Sequence, residues 1–133
     1  MIPAWGRLDI ETKVLTILRA VRRAGSPDAY GQPFISAYQL AIELEIRYPE
    51  VRRELGKPIG GVGAGQHDSM AQYLAGQLAR EIKDGGASYP IEGAGLSPRH
   101  LADITFRLPD GEVIRSSNTE ARWDLSMFRV RDV

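Results

Sequence analysis

Apolar residues recur at helical spacing in three stretches within the first two thirds of the chain. The first stretch predicts a helix from about Asp9 to Arg23, because its apolar side chains fall on one face. That face consists of Ile10, Val14, Ile17, Leu18 and Val21. The sequence GSP at 25–27 ends the helix. Three arginines in its last turn complement the helix dipole, and phosphate binding by the same side chains is the alternative.

The second stretch carries the clearest helix-start signal in the chain. Ser36 followed by Gln39 forms S-x-x-Q, a capping box in which each side chain bonds the other residue's backbone N–H. The apolar stripe that follows consists of Ala37, Leu40, Ala41, Leu44 and Tyr48. Pro49 then starts a separate short turn, PEVRREL, which Gly56 closes.

The third stretch, MAQYLAGQLAREIK, follows a glycine-rich loop and predicts a third helix. Asp68 or Ser69 caps its start, and DGG at 84–86 ends it. Its predicted buried face consists of Ala71, Leu74, Ala75, Leu78 and Ile82. The opposite, polar face carries Gln72, Tyr73, Gly76, Gln77, Arg80 and Lys83.

The remaining third of the chain has the alternation typical of strands. After a predicted loop, ASYPIEGAG, and a helical turn at SPRHLA, the segment DITFRL places Ile104, Phe106 and Leu108 inward. A turn at PDG, 109–111, leads to a second strand, EVIRSS, and NTEAR leads to a third, WDLSMFRVR. The order predicts an α+β fold in one domain, 1–133. Helices over about 9–85 form a three-helix bundle, and a loop and small antiparallel meander follow over about 87–131.

Composition narrows the possible functions by exclusion. The 133 residues are 43% apolar and 26% charged, as in folded proteins, and the absence of cysteine excludes thiol catalysis and zinc–thiolate sites. Up to Gly56 there are 8 basic and 7 acidic residues, and beyond it 9 and 10, so neither half is a basic module. The start, MIPAWGRLDIETK, lacks the apolar core of a signal peptide, and no apolar stretch approaches the roughly 20 residues that span a bilayer. We expect a cytoplasmic protein without a membrane partner.

The glycine-rich loop at 56–69, GKPIGGVGAGQHDS, invites comparison with loops that cradle nucleotides. The phosphate-loop pattern fails because Gln66 and His67 occupy its lysine and hydroxyl positions, and the dinucleotide fingerprint also fails on spacing. Backbone N–H groups at the start of the third helix can still hold one phosphate of a nucleic acid. A flexible connection is one alternative. A mobile arm is the other, with Ile59 and Val62 as exposed anchors for a partner.

No set of side chains carries a catalytic signature. His67, Asp68 and Ser69 are adjacent, so they cannot line up as nucleophile, base and orienting acid. A metal site would have to combine the only other histidine, His100, with distant carboxylates. In the nuclease-like run Asp103, Asp110 and Glu112, isoleucine stands at 114 where that chemistry requires a lysine. We therefore expect no enzymatic activity, no metal and no cofactor.

Three helices followed by an antiparallel hairpin and a further strand resemble the element order of winged-helix proteins, a variant of the helix-turn-helix class. The resemblance covers about residues 8–131 and implies that the third helix reads DNA while the hairpin at 103–117 forms the wing. The residues then implied in nucleic-acid binding are Gln72, Tyr73, Gln77, Arg80, Lys83, Arg107 and Arg115. Glutamine suits adenine, and arginine suits guanine or phosphate.

Two features distinguish this chain from that family. The linker from Pro49 to Gln66 is longer than a helix-turn-helix turn, and the net charge of zero is unusual for a DNA binder. The leading hypothesis is a non-enzymatic DNA-binding domain of a bacterial regulatory or larger assembly. The alternative is a protein-interaction module that uses the glycine-rich loop and a sheet edge.

Overall fold

A computed structural model describes residues 3–61, 69–117 and 123–131 of the chain. The helices are α1 (Ala4–Arg7), α2 (Ile10–Ala20), α3 (Ala37–Arg47), α4 (Pro49–Leu55) and α5 (Met70–Gly85), with a 3₁₀ turn at Gly86–Ser88. The strands are β1 (Ile35–Ser36), β2 (Ile91–Leu96), β3 (Thr105–Arg107), β4 (Val113–Arg115) and β5 (Leu125–Val130). The chain is therefore an α+β fold with its helices ahead of most strands, as the sequence predicts.

Helix α2 ends three residues before the predicted boundary at Arg23. Val21 already has extended backbone angles, φ −71° and ψ 121°. The guanidinium of Arg23 donates to the carbonyls of Pro27 and Asp28, at 3.4 and 3.0 Å. Arg23 thus satisfies carbonyls of the following loop, an interaction that the helix dipole did not predict.

The predicted start of α3 is confirmed in atomic detail. The backbone N–H of Gln39 donates to Ser36 Oγ at 3.1 Å, and the N–H of Ser36 donates to Gln39 Oε1 at 2.7 Å. Pro49 begins α4, and Gly56 ends it in the left-handed region, at φ 64°. The local signals at both helices are therefore sufficient to place their ends.

The strands form two sheets and not the single meander that the sequence predicted. One sheet is three-stranded and antiparallel in the order β1-β5-β2; the other is the β3–β4 hairpin, which lies in the connection between β2 and β5. Strand β5 buries Leu125, Phe128 and Val130 in the core. Pairing with β1 and β2, instead of with β4, brings those three side chains against the helices.

The structure forms strand β2 where the sequence predicts a loop. Its run IEGAGL has low strand propensity, but six residues pair with β5, from Ile91 opposite Val130 to Leu96 opposite Leu125. A Cβ at Gly93 would lie 3.3 Å from Ile82 Cδ1, and one at Gly95 would lie 2.9 Å from Asp124 Cβ. The two glycines mark close approaches to neighbouring elements. The predicted helical turn at SPRHLA is a hydrogen-bonded turn, from Leu101 N–H to the carbonyl of Pro98.

The core lies between α2, α3, α5 and the three-stranded sheet. The predicted inner face of α5 is confirmed: Ala71, Leu74 and Leu78 are buried, and Ala75 and Ile82 pack against the core while half-buried. The cap is confirmed as well, since Ser69 Oγ accepts the N–H of Gln72 at 3.1 Å. Helix α5 therefore packs against the core through one face, and its opposite face is accessible to solvent.

Candidate functional site

The outer side of α5 carries most of the residues expected to contact nucleic acid. Leu78, at the middle of the helix, is fully buried on the inner side. Gln72, Arg80 and Lys83 are exposed on the other side, and Gln77 is half-exposed. Two amides and two cations therefore share one accessible surface of a well-supported helix.

Tyr73, on the polar face of α5, makes contacts within the protein. Its ring lies 6.4 Å, centroid to centroid, from that of Trp5 in α1, and Lys57 Nζ lies 6.0 Å from the Tyr73 centroid. Burial raises the pKa of the Tyr73 phenol, and a hydrogen bond with Gln77 opposes that shift. Helix α1, which the apolar periodicity did not predict, therefore covers the polar face of α5 at Tyr73.

Among the residues that the structure describes, the cations of α5 are not neutralised by ion pairing. Arg80 and Lys83 make no hydrogen bond or ion pair with residues in the described part of the chain. Arg80 Nη1 lies 3.9 Å from the position that a Cβ would take at Gly76, so its head extends back along the helix. Glu81 and Asp84 lie beside them in sequence and keep the local charge mixed. The surface is polar and mixed in charge, but its two cations can accept an anionic partner.

The start of α5 is not an open phosphate site, which corrects one of the sequence alternatives. The N–H groups of Met70 and Ala71 donate to the carbonyls of Pro58 and Ile59, at 2.7 and 3.0 Å. The N–H of Gln72 donates to Ser69 Oγ. Because these three N–H groups already have protein acceptors, they are not available to a phosphate.

The β3–β4 hairpin is fixed on α3. The ring of Phe106 stacks on that of Tyr38, with centroids 5.1 Å apart and planes 13° from parallel. Tyr38 Oη lies 3.1 Å from Ser117 Oγ and accepts the Ser117 N–H at 3.2 Å. A Cβ at Gly61, where φ is +100°, would lie 2.9 Å from the carbonyl oxygen of Arg115. The hairpin is thus held at its base by α3 and by the beginning of the glycine-rich loop.

The two hairpin arginines lie at opposite ends of the ladder and have different neighbours. Arg115 is opposite Thr105, and its Nε forms an ion pair with Asp103 Oδ1 at 3.7 Å. Arg107 is opposite Val113 and makes no hydrogen bond or ion pair with any residue that the structure describes. Within the described part of the chain, the hairpin therefore carries one cation without an ion pair, Arg107.

A cleft of about 500 Å³ lies beside β3 and contains Arg107. It is bounded by α2, β1, α3 and β3, and Arg47 of α3 lines it together with Arg107. Arg107 and Arg47 thus line the same cleft, and no cation of α5 lines it. No local pattern in the sequence indicated this shared location, because the two arginines belong to different elements.

A larger groove of about 1000 Å³ lies beside β4, between the hairpin, α3 and residues 58–60. Ile42 and Ile46 of α3, Ile59, and Val113 of β4 supply apolar walls. Ile46 and Val113 are 50% and 53% exposed. Ile42 and Ile46 lie off the predicted apolar stripe of α3 at four-residue spacing, a signal that could have revealed this second apolar surface.

The structure describes one of the two predicted loop anchors, Ile59, and not the other, Val62. Ile59 is half-buried and packs against the core, so it is not the freely exposed anchor that the sequence analysis described. Gly60 is buried, and a Cβ there would lie 3.2 Å from both Ala71 Cβ and Tyr38 Cε1. Val62 lies outside the described residues, as do His67 and Asp68. Where the structure describes it, the loop is packed against the domain.

Metal-binding clusters and membrane-spanning helices are both absent from the described residues. Across residues 3–61, 69–117 and 123–131, no three or more histidine, aspartate or glutamate side chains group so as to hold a metal ion. Within the same residues, no helix has the length and apolar character needed to cross a bilayer. Comparison of the chain with protein-family models, with curated proteins and with solved structures found no match.

Proposed function

We propose that this chain is a nucleic-acid-binding domain of winged-helix type, without enzymatic activity of its own, in a bacterial regulatory or larger cytoplasmic assembly. The observation that carries the proposal is the topology. The order α2, β1, α3, α5, β2, hairpin, β5, with α1 and α4 as additional helices and the strands arranged β1-β5-β2, resembles that of a winged helix. The long connection from β2 to β5 takes the place of the wing, and α5 takes the place of the reading helix.

The side chains on α5 suit this role chemically. The carboxamides of Gln72 and Gln77 can each donate to and accept from adenine in the major groove. Arg80 suits guanine or phosphate, and Lys83 suits phosphate as a point charge. Both cations are free of ion pairs within the described chain, so binding would cost no internal salt bridge there.

The two arginines of the proposed wing contribute unequally to phosphate binding. Arg107 is available for a phosphate, whereas Arg115 would first have to leave Asp103. Tyr73 is held beside Trp5, so we assign it to positioning the helix more than to base contact. With two to four phosphate contacts, the slope of log affinity against log salt should be roughly −2 to −4. Such binding is weak in isolation and suits a domain that acts within a larger assembly.

The test is a fluorescence-anisotropy titration of a labelled DNA duplex at low and moderate salt. Arg80→Ala and Lys83→Ala should each weaken binding and reduce the salt slope by about 1. Arg53→Ala is the matched control, because Arg53 is exposed on α4 and removes the same charge away from α5. Absence of duplex binding at low salt by folded protein would contradict the proposal, as would equal losses in all three variants.

A second candidate function is recognition of a protein partner, favoured by the groove beside β4. Half-exposed Ile46 and Val113 flank an apolar depression, and exposed apolar patches rimmed by charge are typical of interaction surfaces. Co-purification from the native host should then recover a partner with wild type that Ile46→Glu loses. Tyr30→Glu, at an exposed aromatic residue that does not line the groove, is the control. Equal recovery with both variants would exclude the groove as the contact.

A further inference from the structure

The cleft beside β3 has apolar walls that the fold holds in place. Ile17 and Ile42 are buried, and Val21, Ile35 and Phe106 are half-buried around it. The Phe106 ring is fixed by its stacking on Tyr38, so this wall needs no ordering when a ligand enters. The volume of the cleft, about 500 Å³, lies within the range of small-molecule sites.

The rim of the cleft carries a surplus of positive charge. Arg47, Arg107 and Glu43 are its charged residues, and Arg47 Nε lies 3.3 Å from Glu43 Oε2. One cation is thus offset, which leaves Arg107 without a partner among the described residues. Gln39 also lies at the rim. Its side-chain oxygen is held by the Ser36 N–H, which leaves its amide N–H groups as donors.

We propose that this cleft binds a small amphiphilic carboxylate, with its apolar body between Ile42 and Phe106 and its carboxylate on Arg107. The surplus of one positive charge selects a monoanion over a neutral or cationic ligand. Apolar walls with a few polar groups at the rim are the usual composition of a small-molecule site. Arg47 supplies a second guanidinium within the same cleft. The site shares Arg107 with the proposed nucleic-acid surface, but none of its lining residues belongs to α5, so binding of its ligand can be tested without DNA.

The test is a titration of ¹⁵N-labelled full-length protein, followed by amide chemical shifts, with two probes of different shape, naphthalene-2-carboxylate and octanoate. At least one should bind saturably and shift the amides of Glu43, Arg47 and 105–107, which line this cleft and not the groove beside β4. Naphthalene-2-carboxamide, which has the same body without the charge, should bind about tenfold more weakly than the carboxylate, because it loses the charge-assisted hydrogen bonds.

Arg107→Gln should weaken binding of the carboxylate by about tenfold while the spectrum remains that of the folded protein. Arg115→Gln is the matched control and should leave the affinity unchanged, because Arg115 lies on the same hairpin but lines the other groove. The proposal is overturned if neither probe saturates, or if carboxylate and carboxamide bind equally. It is also overturned if Arg107→Gln binds like wild type or if the shifts map to the groove beside β4.

Discussion

Replacement of Leu78 by alanine should be among the most destabilising single changes in α5. Leu78 is fully buried in the middle of the helix, under α3 and the sheet. The change removes three carbon atoms, which at about 0.8 kcal/mol each costs about 2.4 kcal/mol of transfer free energy. The cavity that remains adds up to about 2 kcal/mol, depending on how far the surroundings relax. We expect a total loss of about 2.5–4.5 kcal/mol.

The measurement is urea denaturation followed by circular dichroism. With a slope of about 2 kcal/mol per molar, the midpoint should fall by roughly 1–2 M and the slope should stay unchanged. Gln77→Ala is the control, because it introduces alanine one residue away on the accessible side and should change stability by no more than about 0.5 kcal/mol. Comparable midpoints for the two variants would refute the assignment of the faces of α5, and with it the surface proposed to contact nucleic acid.

Three further predictions concern the cap, the pH dependence and the two proposed sites. Ser69→Ala removes the acceptor of the Gln72 N–H and should cost about 1 kcal/mol, seen as a lower thermal midpoint; an unchanged midpoint would contradict the cap. Burial, and then the hydrogen bond to Glu11, raise the pKa of Tyr89 above its usual value, so folding stability should fall as pH rises past about 10. Urea midpoints should fall less steeply over that range in Tyr89→Phe, and parallel curves would exclude this origin. If both proposals hold, naphthalene-2-carboxylate should weaken duplex binding in wild type but not in Arg107→Gln, since one guanidinium cannot serve both anions.

The features that could be predicted from the sequence are those decided by neighbouring residues. The capping box at Ser36, the end of α4 at Gly56 and the turn between β3 and β4 all depend on side chains within a few positions of one another. The buried side of α5 could be predicted equally well, because a period of about 3.6 residues determines which side chains share a face. The candidate residues on that helix follow from the same period.

Only the tertiary structure decided how the strands pair and where the clefts lie. IEGAGL becomes a strand because β5 offers it six partners, and its two glycines allow the close approach of Ile82 and Asp124. The N–H groups at the start of α5 lose their capacity for phosphate because the carbonyls of Pro58 and Ile59 reach them from a loop. Arg47 and Arg107 line one cleft only because the hairpin stacks on α3. Each of these contacts joins segments distant along the chain, and local periodicity carries no information about which distant segment will bury a given face.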